Sequence, residues 1–334
     1  MESSVFHEAR PLDLPIRQLG LRIEGTPLAP ILADFEQELA AAGIARVKPR
    51  FYLSTEWGVP FETIAMAIPF YLARPDLASM HAERAGMVEG EHREDVLRYL
   101  RHEMGHVVNY AYRLYDRPDW VEAFGSMTQA YVEEYRPEPW NARFVRHLPG
   151  WYAQKHPDED WAETFAVWMT PRADWRAAYA TWPVALAKLE LCDRIMAAVV
   201  DQDPLVTDDE LDEDVGEIDY SIEELYRQSA IEPPALPPGL DGALRAIFDE
   251  LKGGEPRRAA DVITQHAQLV ARSVFTWTGH FPEHTHVLLR HLAARAEALE
   301  LTCPAGTEAR ALVELSVFAA SLAMNHVHRG TYVP

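Results

Sequence analysis

Residues 93–117, REDVLRYLRHEMGHVVNYAYRLYDR, decide how this chain is read. No proline interrupts the stretch from His92 to Arg117, and Leu97, Leu100, Met104, Val107, Ala111 and Leu114 recur at spacings of three and four. That is the apolar stripe of a helix packed on a core. It predicts a helix from about Glu91 to Asp116, ended by Pro118. On a helical wheel His102 and His106 fall on nearly the opposite side from the stripe. Being i and i+4, they share one face, one turn apart, so their imidazoles can converge on one ion. Glu103 lies about 100° round the wheel. That is beside such an ion rather than on it, where a carboxylate could hold a water. With 14 histidines in the chain, an H-E-x-x-H pattern is suggestive by itself, and its surroundings carry the reading.

A zinc ion needs a third protein ligand, and catalytic sites leave the fourth position to water. The candidate is Glu163, in the run Asp158-Glu-Asp-Trp-Ala-Glu-Thr-Phe-Ala166, which Pro157 opens and Pro171 closes as a short helix. Asp158, Glu159 and Asp160 suit the first turn, where the helix dipole favours anions. Glu163 sits deeper, between Trp161 and Phe165, where a cation would offset the cost of burying a carboxylate. The plain alternative is a surface glutamate on an amphipathic helix. Glu159 and Asp160 are the substitute ligands, and Asp160 could instead support a ligand histidine from behind.

Outward from these two segments, Leu28–Ala42 suits a helix closed by Gly43. Arg46–Ser54 reads as a strand and Glu62–Leu72 as a second, with Pro69 favouring an edge position. Such an edge could add an extended peptide as a further strand. More helices are expected at Trp120–Tyr135, Asp158–Thr170 and Val184–Val200, and again from Gly239 to about His328. Strands followed by a run of helices is an α+β order. Between Asp201 and Glu224 stand twelve acidic residues and no Lys or Arg, the composition of a solvated linker. Pro233, Pro234, Pro237 and Pro238 stiffen its far end. The expected organisation is a catalytic unit over 1–200, an acidic linker over 201–238 and a helical C-terminal domain over 239–334.

The motifs Glu56-Trp57, Ile68-Pro69-Phe70-Tyr71-Leu72, Glu89-Gly90, Arg101-His102-Glu103, Phe124-Gly125 and Glu159–Ala166 stand in this order along the chain. Together they resemble the bacterial family described as "putative zinc-binding metallopeptidase". More distantly they are similar to gluzincins, which share HExxH and a glutamate on a following helix. The resemblance covers about Leu14 to Met196. It implies a zincin-like catalytic domain with a small sheet and an HExxH helix, with zinc on His102, His106 and Glu163 and with Glu103 as catalytic base. In similar gluzincins a Tyr or His upstream of the glutamate ligand stabilises the oxyanion, which makes Tyr152 and His156 the candidates here.

Composition limits the remaining choices. At 334 residues, 48% hydrophobic and 25% charged, the chain can bury a sizeable core. A formal charge of −21 argues against a nucleic-acid partner and against a polybasic membrane surface. Two cysteines, Cys192 and Cys303, allow neither a disulfide framework nor a multi-cysteine metal site, and with no secretory leader they suggest a cytoplasmic protein. Phosphate-binding glycine loops and Gly-x-Ser-x-Gly are absent. His280, His284 and His286 lack regular spacing and a placed acidic partner, which weakens a second metal site there. The expected function is zinc-dependent hydrolysis of a peptide or protein substrate. A zinc amidase on a small modified peptide and a non-catalytic zinc scaffold are the rivals. The acidic segment or the C-terminal domain could regulate the site, by autoinhibition or by recruiting a partner.

Overall fold

A computed structural model describes residues 11–132, 135–228, 239–250 and 257–333. The first helix, α1 (Leu28–Ala41), buries Leu28, Leu32, Phe35 and Leu39, one stripe at spacings of four, three and four. Gly43 follows at φ +79°, the left-handed backbone that ends the helix. Strands β1 (Arg50–Ser54) and β2 (Ala65–Pro69) pair in parallel, from Arg50 opposite Ala65 to Ser54 opposite Pro69. β2 is shorter than the expected Glu62–Leu72, because after Pro69 the chain coils into a 3-10 turn over Phe70–Ala73. Its outer edge is partly taken, since Ala67 N–H donates to Gly58 O at 2.8 Å. An extended peptide therefore does not find the whole edge free.

Helix α2 (Pro75–Ala85) leads to α3 (Arg93–Ala111), the long helix expected from the stripe. From Val96 to Ala111 every α3 residue except Arg98 is buried, so the helix has core on all sides rather than one wet face. Arg101 anchors it to α1 through two hydrogen bonds to the Glu38 carboxylate, at 2.7 and 2.8 Å. Helix α4 (Pro118–Phe124) is much shorter than the expected Trp120–Tyr135, since Gly125 takes φ +112° and turns the chain away. Helices α5 (Pro157–Met169), α6 (Trp175–Ala178) and α7 (Pro183–Val199) complete the run.

The acidic segment that follows is no solvated linker where it is described. Leu205 and Val206 N–H donate to Ala111 O, Ile64 N–H to Asp208 O, and Val215 N–H to Leu53 O. Ile16 and Arg17 N–H close the circuit on Tyr220 and Ile218 carbonyls. Val206, Val215, Ile218 and Ile222 are buried, and α8 (Ile222–Gln228) ends the strap. Its carboxylates meet cations of the body, among them Arg46 with Asp203, Arg50 with Asp209 and Arg84 with Glu223. The four expected linker prolines lie outside the described residues.

A second core gathers from Leu240 to Tyr332. It is built by α9 (Leu240–Ile247), α10 (Ala259–Thr278), α11 (Pro282–Ala298) and α12 (Glu308–Arg329). A three-stranded antiparallel sheet joins them: β3 (Asp249–Glu250), β5 (Leu301–Cys303) and β4 (Arg257–Arg258), in that spatial order. The two cores touch. Arg272 of α10 reaches Glu91 and Asp95 at 3.3 and 3.6 Å, and the Phe275 ring packs on Gly150. The chain is thus mostly helical with small sheets. No helix among the described residues is long and apolar enough to cross a membrane.

Candidate metal centre

The centre exists because α3 and α5 cross at very small separation. A Cβ on Gly105 would lie 2.7 Å from Ala162 Cα, closer than side chains tolerate, and Trp161 Nε1 donates to Gly105 O at 2.8 Å. Glycine and alanine at the crossing let the histidine face of α3 meet the acidic face of α5. The entry of α5 is fixed by His156, whose Nδ1 accepts the Asp158 N–H, and by Pro157 at its first position.

Three ligand atoms converge there. Glu159 Oε2 is 3.0 Å from His102 Nε2 and 3.3 Å from His106 Nε2, and the two Nε2 atoms are 3.3 Å apart. His102, His106 and Glu159 are all buried. Behind them, Glu163 Oε1 accepts from His102 Nδ1 at 2.9 Å. Asp158 Oδ2 lies 3.0 Å from His106 Nδ1, and Asp158 is itself held by Asn109 Nδ2 and the Tyr110 hydroxyl.

The expected third ligand, Glu163, therefore does not join the cluster. It is fully buried, and its oxygens accept the backbone N–H groups of His147 and Leu148 at 2.7–3.0 Å. That cradle ties it to the rear nitrogen of His102. Glu159, one turn earlier on the same face, reaches the front. Asp160 takes neither role, because it pairs with buried Lys188.

Proton placement tests whether a cation fits. The carboxylate bonded to His102 Nδ1 favours the tautomer that carries hydrogen there, and at His106 the Asp158 charge lies 3.0 Å from Nδ1 without a hydrogen bond and favours the same tautomer. Two bare Nε2 lone pairs and one carboxylate oxygen then point at one small volume, an arrangement that only protons or a cation can hold together. Without a metal, protons take that place. Burial alone would lower the His102 pKa, yet hydrogen bonds to Glu159 and Glu163 bring it up to about 9. His106 rises well above the usual imidazole range because Asp158 and Glu159 outweigh its burial. Glu159 works against its own burial and falls well below the usual carboxylate range, drawn down by both histidines. Two imidazoles and a carboxylate are a donor set that suits zinc.

Glu103 is 5% exposed, and among the described residues its carboxylate makes no hydrogen bond. Burial raises its pKa, against the pull of His102 and His106. The Tyr152 ring meets His102 edge to face at 5.6 Å, and burial, then Glu159, raise its phenol well above the usual range. His156 is not brought to the cluster. Besides capping α5, it turns Nε2 toward Gln129 O at 3.2 Å. Tyr131 was not foreseen, and its hydroxyl donates to Glu159 Oε1 at 2.7 Å. Nothing in its local sequence marks it, since it stands in the stretch read as part of a long helix. His280 is engaged at both nitrogens, with Thr285 and with Tyr332, as a packed core histidine.

Comparison with known proteins bears on the same residues. At 35% identity over 99 residues, covering 26% of this chain and 27% of each relative, the chain is similar to three mycobacterial proteins. They are Mb2598c of Mycobacterium bovis and MT2644 and Rv2568c of Mycobacterium tuberculosis, each described as uncharacterized. The chain thus spans about a quarter of the length of these relatives. No solved structure matches it. Residues 67–223, which hold α3, α5 and most of the acidic strap, match the model of the family described as "putative zinc-binding metallo-peptidase".

Proposed function

We propose that the chain is a zinc-dependent peptidase in which His102, His106 and Glu159 hold the ion, with Glu163 and Asp158 orienting the two imidazoles. The observation that carries this reading is the convergence of three ligand atoms beside a buried carboxylate, Glu103, that makes no hydrogen bond among the described residues. A purely structural site has no use for such a group. Bound there, zinc supplies Lewis acidity, polarising a carbonyl and bringing the pKa of a water from 15.7 to about 7. Glu103 accepts the proton of the attacking water and returns it to the leaving amine as the amide C–N bond breaks. Tyr152 keeps its phenolic proton and is assigned the donor to the carbonyl oxygen as charge develops on it.

Zinc content by elemental analysis and turnover of a mixed peptide library test the reading together, on wild type and on Glu103→Gln. The expected outcome is one zinc per chain in both proteins and peptide cleavage only in wild type. Cleavage retained by Glu103→Gln would remove the assigned base. Absence of zinc from wild type after metal loading would remove the centre.

A further inference from the structure

A cavity of about 460 Å³ opens one turn of α3 ahead of the metal centre. Arg98 of α3, four residues before His102, lines it together with Arg146, His147, Tyr179, Trp182 and, from the second core, Thr276 of α10. No carboxylate stands on this wall among the described residues. The acids one turn ahead of Arg98 are engaged elsewhere, Glu94 with Arg93 at 2.6 Å and Asp95 with Arg272 at 3.6 Å. Glu163 acts on Arg146 from behind the wall, and its oxygens are taken by the His147 and Leu148 N–H groups and by His102. His147 adds no charge. Its Nε2 donates to Arg98 O at 2.9 Å, and burial pushes its pKa down to about 3.

Two arginines thus line the cavity, and neither has a carboxylate partner among the described residues. Arg146 is held like a flat plate, its Cζ 3.9 Å from the Trp151 ring centre and 4.7 Å from that of Trp140. Both tryptophans stand at φ +64°, backbone that a bulky side chain rarely adopts. The chain bears this conformational cost where it fixes one guanidinium between two indoles. Stacking occupies the faces of the plate and leaves its N–H edge, which meets no acceptor among the described residues. Burial pushes the Arg146 pKa down, against Tyr179 and Glu163, so its lost water is not made good by a counter-charge. Arg98 is exposed and brings a second cation to the same space.

Tyr179 and Trp182 add an aromatic wall, their rings edge to face at 5.8 Å. Guanidinium forks suit phosphate oxygens, and aromatic side chains suit a planar ring. We propose that this cavity binds a phosphate monoester carrying an aromatic ring, and that its occupancy tightens the metal centre. A volume of 460 Å³ falls in the range of small-ligand pockets and admits a phosphate with one ring. The binding site needs no peptidase activity, and the coupling rests only on zinc at His102, His106 and Glu159. Position carries the coupling. The segment that supplies Arg146 also supplies the His147 and Leu148 N–H groups that hold Glu163, and Glu163 orients His102. A ligand that grips Arg98 and Arg146 orders this cradle, and its negative charge favours a cation nearby. Both effects act in the same direction.

Calorimetric titration of the zinc-free full chain with phenyl phosphate, benzoate and phenol tests the site. Phenyl phosphate should bind at least about 10-fold more tightly than benzoate, with no measurable binding of phenol, since hydrogen bonds to charged groups are each worth a factor of about ten or more. Arg98 is exposed, so Arg98→Gln leaves the fold intact, and it should lose about 10-fold. Arg98→Lys keeps the charge without the fork and should fall between. Arg98→Gln combined with Arg146→Gln should lose about 100-fold. Benzoate binding as tightly as phenyl phosphate overturns the phosphate assignment. Unchanged phenyl phosphate affinity in Arg98→Gln overturns the cavity as its site.

The same titration on the zinc-loaded chain tests the coupling. Coupling is reciprocal, so zinc should tighten phenyl phosphate by about 5-fold or more, and phenyl phosphate should tighten zinc against a chelator by the same factor. The gain should vanish in the double variant. A gain that persists there is phosphate ligating the metal directly, and it overturns the coupling. Equal phenyl phosphate affinity with and without zinc overturns the coupling as well. Phenyl phosphate binding with the expected coupling but without any peptide cleavage upholds this inference and overturns the peptidase reading.

Discussion

Glu159 and Glu163 sit one turn apart on α5 and touch opposite nitrogens of the same imidazole. Their chemistry is identical, so their roles follow from what else each one meets. Glu163 spends its oxygens on two backbone N–H groups and His102 Nδ1. Glu159 keeps Oε2 toward the two Nε2 atoms, and Tyr131 holds its other oxygen. Glu159→Gln should therefore abolish tight zinc binding, whereas Glu163→Gln should weaken it by about 10–100-fold, the usual cost of losing a group behind a ligand. Competition with a chelator measures both. Full affinity in Glu159→Gln with loss in Glu163→Gln would reverse the assignment. The sequence made both carboxylates visible and could not rank them. Three acids in the first turn of a helix read as dipole partners, and only burial reveals that Asp158, Glu159 and Asp160 are 2–6% exposed.

At the scale of elements, the crossing of α3 and α5 sets the ligand geometry, and Gly105 sets the crossing. Gly105→Ala adds a methyl where Ala162 leaves no room, and it cannot be absorbed by a flexible side-chain end. Overpacking of this kind costs about 1–3 kcal/mol, and parting the helices should weaken zinc binding as well. Thermal denaturation with and without zinc checks both effects, and unchanged values in both would mean that the helices slide apart freely. The helix α3 was legible because six apolar residues keep its period across four turns. The length of α4 was not, although Gly125-Ser126 offered a stop signal within the expected Trp120–Tyr135. The strand Glu62–Leu72 lost its last residues for a related reason. Pro69 withholds a donor, and Phe70–Ala73 coil into a buried 3-10 turn. Periodicity reports which side of an element is apolar, and its ends are set by contacts far away in sequence.

For the whole molecule, the acidic strap is the feature that composition misread. Twelve carboxylates masked four aliphatic anchors, Val206, Val215, Ile218 and Ile222, all of them buried. Its exposed ion pairs are worth little individually. The anchors matter more, at about 1.5–3 kcal/mol each. Together they approach the 5–15 kcal/mol that holds an ordinary domain. Deleting 201–224 should therefore abolish folding of the zinc-binding unit, whereas a detachable linker would leave a soluble unit with altered kinetics. Circular dichroism and solubility of the deletion protein distinguish the two, and a native-like spectrum would restore the linker reading.

The same strap sets an order of events during synthesis. Ile16 and Arg17 wait for the carbonyls of Tyr220 and Ile218, and Leu53 waits for Val215. At 5–20 residues per second a ribosome separates the two ends of this circuit by on the order of 10–40 s. Late in that interval α3 and α5 have already emerged, while the sheet and the first helix still stand without their cover. A nascent chain in this state offers zinc its ligands before its own core is shut, and metal could thus serve as an early clasp on a body that closes last.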